Sequence, residues 1–127
     1  MVSKPNAIGP SLKKSVSNKE YVSKILRRVP ESQGFHFYLE IGKPTGQTAI
    51  SLMDFVEKLA ATNVQSINFH YSRKDFQKWI RVVFGDVELV LRLERIGRVR
   101  LGVSNEALRS EITRAVKMRL RELKAKP

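Results

Sequence analysis

The chain has 127 residues, 42% of them hydrophobic, and no cysteine, which predicts one globular domain and excludes disulfides, thiolate metal sites and cysteine nucleophiles. Its 24 lysine and arginine residues against 12 acidic residues give a formal net charge of +12. No apolar run reaches the roughly 20 residues that a membrane helix requires, and no secretory signal pattern is present, so we expect a cytoplasmic protein without a membrane partner.

The excess positive charge lies at the two ends of the chain. Residues 1–30 carry seven basic and one acidic side chain, and residues 97–127 carry nine and three. Residues 31–96 carry eight of each sign. Because lysine and arginine gain affinity by displacing counterions from phosphates, this distribution favours binding to a polyanion. Surface charge that serves only solubility is the alternative interpretation.

The first thirty residues predict a tail and a short helix. Residues 1–17 contain two prolines and scattered serine and lysine, and we expect an extended basic tail ahead of a single globular domain, residues 18–127. In NKEYVSKILRRVP, apolar residues recur at every fourth position and predict a helix that Pro30 ends. Arg27 and Arg28 would lie in its last turn, where cations complement the helix dipole, and the pair is also a candidate for phosphate contacts.

The next segment predicts a β-hairpin. FHFYLEIG, residues 35–42, alternates apolar and polar side chains, and the expected inward residues are Phe35, Phe37, Leu39 and Ile41. GKPTGQ predicts the turn, and TAI predicts a short returning strand. The turn lacks the spacing of a phosphate-binding loop, and a hairpin of this size needs helices packed against it.

Helices are predicted for most of the remaining chain. SLMD gives Ser51 the spacing of a helix cap. SINFHYSRKDFQKWI predicts two helices joined at residues 72–74, the second capped by Asp75. Asp86 is expected to cap a further helix, which ends before GRVRLGVS, an extended connector over residues 97–104.

Ser104 begins the last predicted helix, whose side chains divide into two stripes. The apolar stripe contains Leu108, Ile112, Val116, Leu120 and Leu123. The basic stripe contains Arg114, Lys117, Arg121 and Lys124. Arg119 falls within the apolar arc, where we expect it to bury its stem and extend its head group to solvent. The complete pattern predicts an α+β fold in which a β-hairpin packs against four or five helices.

Three spaced patterns resemble an uncharacterised domain family of archaea and bacteria: an F-x-F-Y strand, a T-G-x-x-A-x-S-L-x-x-F join, and an S-I-x-F-H-x-x-R-x-D-F-x-x-W-I segment. The matching residues are Phe35, Phe37, Tyr38, Thr45, Gly46, Ala49, Ser51, Leu52, Phe55, Ser66, Ile67, Phe69, His70, Arg73, Asp75, Phe76, Trp79 and Ile80. The resemblance implies a shared domain without an established activity. Where many relatives have glycine and an acid, this chain has Lys74 and Gln77, which makes it a more basic version of the domain.

His70, Arg73 and Asp75 are the candidates for chemistry. A His–Asp pair could act as an oriented general base, but no nucleophile or oxyanion donors accompany it. We therefore interpret the three residues, together with Trp79, as a structural corner in which a His70–Asp75 or Arg73–Asp75 contact fixes the joint between two helices. Two histidines without cysteine or an acidic cluster predict neither a metal site nor a cofactor. Tyr38 is a candidate for stacking on a nucleobase.

The basic residues lead to the functional hypothesis, which is a non-catalytic RNA-binding protein that contacts mainly phosphates. The candidate contacts are Lys4, Lys13, Lys14, Lys19, Arg27, Arg28, Arg98, Arg100, Arg114, Lys117, Arg121 and Lys124. Basic extensions on a small globular body are typical of proteins that bind folded RNA. We therefore expect a ribosome-associated protein or ribosomal component of an archaeon, with ribosomal RNA and ribosomal proteins as partners and no small-molecule substrate. The alternatives are a DNA-binding or chromatin-type protein, and an enzyme or small-ligand domain centred on His70 and Asp75.

Overall fold

The computed structural model describes residues 18–99 and 104–125 and has the predicted α+β fold. In chain order the elements are α1 (residues 18–26), a 3-10 turn (Glu31–Gln33), β1 (Phe35–Glu40), β2 (Lys43–Ala49), α2 (Leu52–Ala61), α3 (Val64–Ser72), α4 (Asp75–Trp79) with the π-helical turn that continues it (Ile80–Phe84), α5 (Val87–Val99) and α6 (Asn105–Ala125). Over these residues an antiparallel hairpin packs with six helices, against the four or five expected. None of these helices is both long and apolar enough to cross a membrane. The predicted tail, residues 1–17, lies outside the described residues.

The hairpin turn is shorter than predicted. Ile41 and Gly42 alone form it, and the KPTGQ residues assigned to the turn belong to β2. Gly42 has a φ of +80°, which a glycine adopts without a steric penalty. Gly46 also has a positive φ. The pairing of β2 with β1 is irregular around it, so β2 is a distorted strand. Because Ile41 lies in the turn, it is 78% exposed, and its predicted inward position is wrong.

An aromatic cluster forms the centre of the core between the hairpin and the helices. The rings of Phe35 and Phe37 in β1 meet edge to face at 4.9 Å, and Phe35 lies 5.5 Å from Trp79 of α4. Phe55 of α2 and Phe76 of α4 are 5.2 Å apart. The predicted apolar stripe of α6 is buried along its whole length and packs against α2, α3 and α5. Aromatic packing therefore holds the hairpin on the helical layer.

Three predicted helix caps are present. Ser51, Asp86 and Ser104 each accept a hydrogen bond through a side-chain oxygen from the backbone N–H three residues ahead, at 2.9, 3.2 and 3.1 Å. Asp54 adds a second contact at the start of α2, since its Oδ2 accepts from the N–H of Ile50 at 3.0 Å. These bonds satisfy backbone donors that the first turn of a helix leaves without partners.

The joint between α3 and α4 differs from the prediction at Asp75. Lys74, rather than Asp75, precedes the helix, and no side chain caps it. Lys74 has a φ of +65° and is the one non-glycine residue with a positive φ in the part of the chain that the structure describes. An L-residue pays about 1–2 kcal/mol for this left-handed conformation. The carboxylate of Asp75 is free for other contacts, because it does not cap the helix.

The first helix ends earlier than predicted, so the placement of Arg27 and Arg28 in its last turn is wrong. α1 ends at residue 26, and the next four residues are not helical. Pro30 accounts for part of this, because a proline disfavours helical backbone in the residue before it. Arg27 nevertheless contacts the helix end, since its Nη1 donates to the carbonyl of Lys24 at 2.6 Å.

The predicted extended connector begins as a helix. α5 continues through Gly97 to Val99, so the first three connector residues are helical. A glycine inside a helix costs only about 1 kcal/mol, which the packing of a long amphipathic helix outweighs. The side chain of Arg98 and the whole of Arg100 lie outside the described part of the chain.

A buried ion pair joins α6 to the start of α5. Arg119 Nε donates to Asp86 Oδ2 at 2.9 Å, and the two side chains are 8% and 0% exposed. Burial alone would lower the pKa of Arg119, but the hydrogen bond and charge of Asp86 outweigh it and raise that pKa above its usual value. The expectation that the Arg119 head group reaches solvent is therefore wrong. Asp86 serves two elements, since it also caps α5.

Replacing Arg119 by methionine leaves the Asp86 carboxylate buried without its cation. We expect Arg119→Met to lower the free energy of unfolding by about 3–5 kcal/mol, measured by urea denaturation. Arg121→Met, on the exposed face of the same helix, is the matched control and should change stability by about 0.5 kcal/mol or less. Equal losses in the two variants would contradict a structural role for the buried pair.

Candidate functional site

The basic stripe of α6, defined as Arg114, Lys117, Arg121 and Lys124, is a continuous exposed face. On a helix of 3.6 residues per turn, the four positions fall within an arc of about 80° and a length of about 15 Å. Among residues 18–99 and 104–125, no carboxylate lies within ion-pairing distance of any of the four. The basic stripe therefore presents a row of uncompensated positive charges.

Neighbouring arginines of α5 and α6 are paired instead. Arg109 binds Glu106 at 3.1 Å and donates to the carbonyl of Leu59, at the end of α2, at 2.6 Å. Arg92 binds Glu122 at 2.8 Å, and this hydrogen bond raises the pKa of Arg92 and lowers that of Glu122. These cations stabilise contacts between helices, so the basic stripe differs from them in having no internal partner.

A groove between α2 and α6 follows the basic stripe. Its volume is about 500 Å³, and its lining consists of Met53, Val56, Glu57, Lys117, Leu120, Arg121 and Lys124. Met53 is half exposed, so the floor of the groove is apolar and open to solvent. Three of the stripe cations, Lys117, Arg121 and Lys124, form one wall, with Glu57 as the single acid in the lining.

The other predicted basic contacts separate into three groups. Lys19 on α1 and Arg28 after it are exposed. Arg27 is used internally, because its Nη2 donates to the carbonyl of Val83 at 3.0 Å and its guanidinium lies 5.5 Å from the centre of the Phe84 ring. The positions that the structure does not describe in full are Lys4, Lys13, Lys14, Arg98 and Arg100.

The second candidate site is the corner around His70, whose side chain is 5% exposed. Its Nε2 accepts a hydrogen bond from the backbone N–H of Tyr38 at 2.8 Å, so Nδ1 carries the proton and donates to Asp75 Oδ2 at 2.8 Å. Burial lowers the pKa of His70, and the neighbouring Asp75 offsets only part of that effect. Arg73 Nε donates to the same Asp75 oxygen at 3.1 Å, so both predicted contacts of the joint are present. Trp79 donates from its indole N–H to the carbonyl of Gln33 at 2.8 Å.

This geometry decides what the corner can do chemically. A general base needs a ring nitrogen that can reach the substrate, but both nitrogens of His70 are occupied by protein groups. His36, the other histidine, is exposed and shares a 2.9 Å hydrogen bond with Thr48. No group of three or more histidine, aspartate or glutamate side chains that could hold a metal ion occurs in the described ranges. The hydrogen bonds of this corner hold the side chains of Asp75 and Arg73 in position.

A cavity of about 390 Å³ lies between the hairpin turn and the α3–α4 joint. Tyr38 and Ile41 border it on the hairpin side, and Phe69, Arg73 and Asp75 border it on the helix side. The exposed imidazole of His36 also lines it, so the walls are mainly aromatic and aliphatic, with one histidine and one Arg–Asp pair as polar groups. Volume and lining fall within the range typical of small-ligand sites.

Sequence reasoning missed several residues of both sites. Met53, Val56 and Glu57 line the groove, and none of them was predicted as a site residue. The spacing of two of them could have indicated a shared surface, because Met53 and Glu57 are four residues apart and so lie on one outward helix face. Ile41 was expected to face inward and Phe69 was named only as part of the family pattern, and the two-residue turn that exposes Ile41 is not evident from GKPTGQ.

The fold and corner define a small α+β domain, and comparison with known proteins places it in a family. Residues 6–117 match the model of a family of unknown function, DUF5752, so the chain belongs to that family. No curated protein and no solved structure matches the chain. The resemblance to an uncharacterised family is thus confirmed, and it supplies no activity.

The pH dependence of stability should report the neutral state of His70. Its folded-state pKa is lowered from the usual value of about 6.5, so the unfolded chain binds the proton more readily. The contribution of His70 to the free energy of unfolding should be fully present above about pH 6.5. Below that pH it should decrease, by at most about 1.4 kcal/mol per pH unit, until the folded-state pKa is passed. When urea unfolding is measured at several pH values, the free energy of unfolding should change less with pH in His70→Gln than in the unmodified protein.

His36→Gln is the matched control, because His36 is exposed and makes no buried contact. We expect it to keep the slope of the unmodified protein. Equal slopes in all three proteins would contradict the assignment of a buried, neutral His70.

Proposed function

We propose that this chain is a non-catalytic RNA-binding protein that contacts mainly phosphates, and that it acts as a ribosome-associated protein or a ribosomal component. The observation that carries the proposal is the basic stripe of α6, whose four exposed cations have no acidic partner in the part of the chain that the structure describes. A folded helix holds these cations in a row before the partner arrives, which reduces the ordering cost of binding. Lys19 and Arg28 add exposed positive charge.

The composition of the basic stripe favours phosphate contacts. Cations spaced along one helix face match charges that repeat along a nucleic-acid backbone. A non-catalytic role is supported by His70, whose two ring nitrogens are bound within the protein.

A ribosomal partner is supported by the charge of the whole chain. The net charge is +12 and the excess lies at both ends, as in proteins that bind folded RNA. We expect the native protein to co-sediment with a ribosomal subunit when a lysate of its source cells is centrifuged through sucrose at low salt. The association should resist DNase and disappear after RNase or at high salt. A protein that stays at the top of the low-salt gradient contradicts the ribosomal assignment.

Neutralising the basic stripe should lower RNA affinity and its salt dependence. The variant Arg114→Gln, Lys117→Gln, Arg121→Gln, Lys124→Gln keeps side chains that favour helix. For single-stranded RNA, each lost phosphate contact reduces the slope of log K against log salt by about 0.7, so the magnitude of the slope should fall by about 3. Fluorescence anisotropy with a labelled oligonucleotide at several salt concentrations measures it.

The matched control removes the same charge elsewhere. Lys24→Gln, Lys43→Gln, Lys78→Gln, Arg81→Gln changes four cations that are exposed on other elements. The control should keep most of the slope. Equal slopes in the two variants mean that bulk charge drives binding and that α6 is not the interface. A preference for duplex DNA over RNA in the same assay would move the proposal to the DNA-binding alternative.

A further inference from the structure

We propose that the cavity between the hairpin turn and the α3–α4 joint binds a single nucleobase. Phosphate contacts along α6 do not involve this cavity, so the inference goes beyond the proposed function. The inference rests on the proposed function only if the bound base is part of an RNA chain. The observation that leads to it is an Arg–Asp pair, fixed in place and only partly used, beside aromatic walls.

The Arg73–Asp75 pair offers one donor edge and one acceptor side by side. Arg73 uses Nε to bind Asp75 Oδ2, and no described residue accepts a hydrogen bond from its two terminal nitrogens. Asp75 Oδ2 receives both His70 and Arg73, whereas Oδ1 has no hydrogen-bond donor in the described part of the chain. Nucleobases present this complement, since an N–H lies next to a carbonyl or ring-nitrogen acceptor along one edge.

The walls of the cavity suit a flat ring. The Arg73 guanidinium lies 5.0 Å from the centre of the Phe69 ring, so a planar cation is already stacked on an aromatic face. Tyr38 and Ile41 form the opposite side. Ile41 is 78% exposed, and a bound base would cover this aliphatic surface. Unpaired bases bind proteins by stacking on aromatic and guanidinium planes while their edges form hydrogen bonds.

Charge favours a neutral ligand over an anion. Arg73 and Asp75 carry opposite charges, so the pair has no net charge, and a bound anion would face the free oxygen of Asp75. His70 has no free ring nitrogen, and His36, the other histidine in the lining, shares one ring nitrogen with Thr48. A neutral heterocycle uses both members of the pair, which is why a base is proposed and a phosphate is not.

Nucleosides test the cavity without the contribution of phosphate. We expect uridine and guanosine, added to the ¹⁵N-labelled full chain, to shift the amide signals of Ile41, Gly42 and Phe69 saturably, with a Kd of roughly 1 mM. 3-Methyluridine, which has no N3–H for Asp75, should bind at least about fivefold more weakly. Arg73→Ala should weaken uridine binding about tenfold, and Arg81→Ala, an exposed arginine on the π-helical turn, should not change it.

Ile41→Ser provides a second variant that should fold normally, because Ile41 lies exposed in the turn. We expect it to weaken uridine binding several-fold. The inference is overturned if no saturable shifts occur at these amides, or if binding is the same in Arg73→Ala and Ile41→Ser as in the unmodified protein. It is also overturned if 3-methyluridine binds as well as uridine.

The two proposals fail in different experiments. If neutralising the basic stripe changes neither uridine binding nor RNA binding, the α6 interface alone is refuted. RNA binding through the stripe without any nucleoside binding refutes the cavity alone. If Arg73→Ala also weakens binding to a single-stranded oligonucleotide, the base belongs to RNA. If it weakens only nucleoside binding, the ligand is a free nucleoside or nucleotide.

Discussion

Both ring nitrogens of His70 are held by hydrogen bonds, one from the backbone of β1 and one to a carboxylate at the start of α4. A two-stranded hairpin is marginal in water by itself, so its attachment to the helices decides whether it forms. This neutral, buried side chain contributes to the polar part of that attachment, together with Gln65, whose Nε2 donates to the carbonyl of Leu39, and the aromatic cluster provides the apolar part. The same bonds orient Asp75 and, through it, Arg73. The shape and polarity of the cavity therefore follow from a requirement of folding.

Features that depend on local backbone chemistry were predictable from sequence. A helix start needs an acceptor for its unpaired N–H groups, so Ser51, Asp86 and Ser104 could be assigned as caps from their positions alone. Apolar periodicity fixed the buried side of α6, and geometry then placed the basic stripe on the exposed side. The hairpin, the helical joint and its two side-chain contacts to Asp75 were also anticipated, as each links residues close in sequence or follows a clear alternation.

Features that depend on a distant partner were not predictable. Arg27 resembles a surface cation in the sequence, and the head group of Arg119 was expected to reach solvent. Their acceptors on other elements lie 56 and 33 residues away. Asp75 has the position of a cap, but the left-handed backbone of Lys74 places its carboxylate elsewhere. The groove and cavity are spaces between elements, and their walls become evident only when those elements are packed. Whether an arginine is free to bind a ligand is a tertiary property.

The basic stripe has a consequence for the stability of the protein when no polyanion is bound. Its members are neighbours at spacings of three, four and three residues, and like charges at these spacings oppose helix formation by about 0.2–0.5 kcal/mol for each pair. If a polyanion binds the stripe, as proposed, it removes this repulsion, so that binding and the folding of α6 would be thermodynamically linked. α6 also carries Arg119, the partner of Asp86. Charge repulsion on its exposed face therefore destabilises the same helix that contributes this buried ion pair to the core. The unliganded form is then the more easily unfolded one, and occupancy by the partner would lengthen the lifetime of the protein.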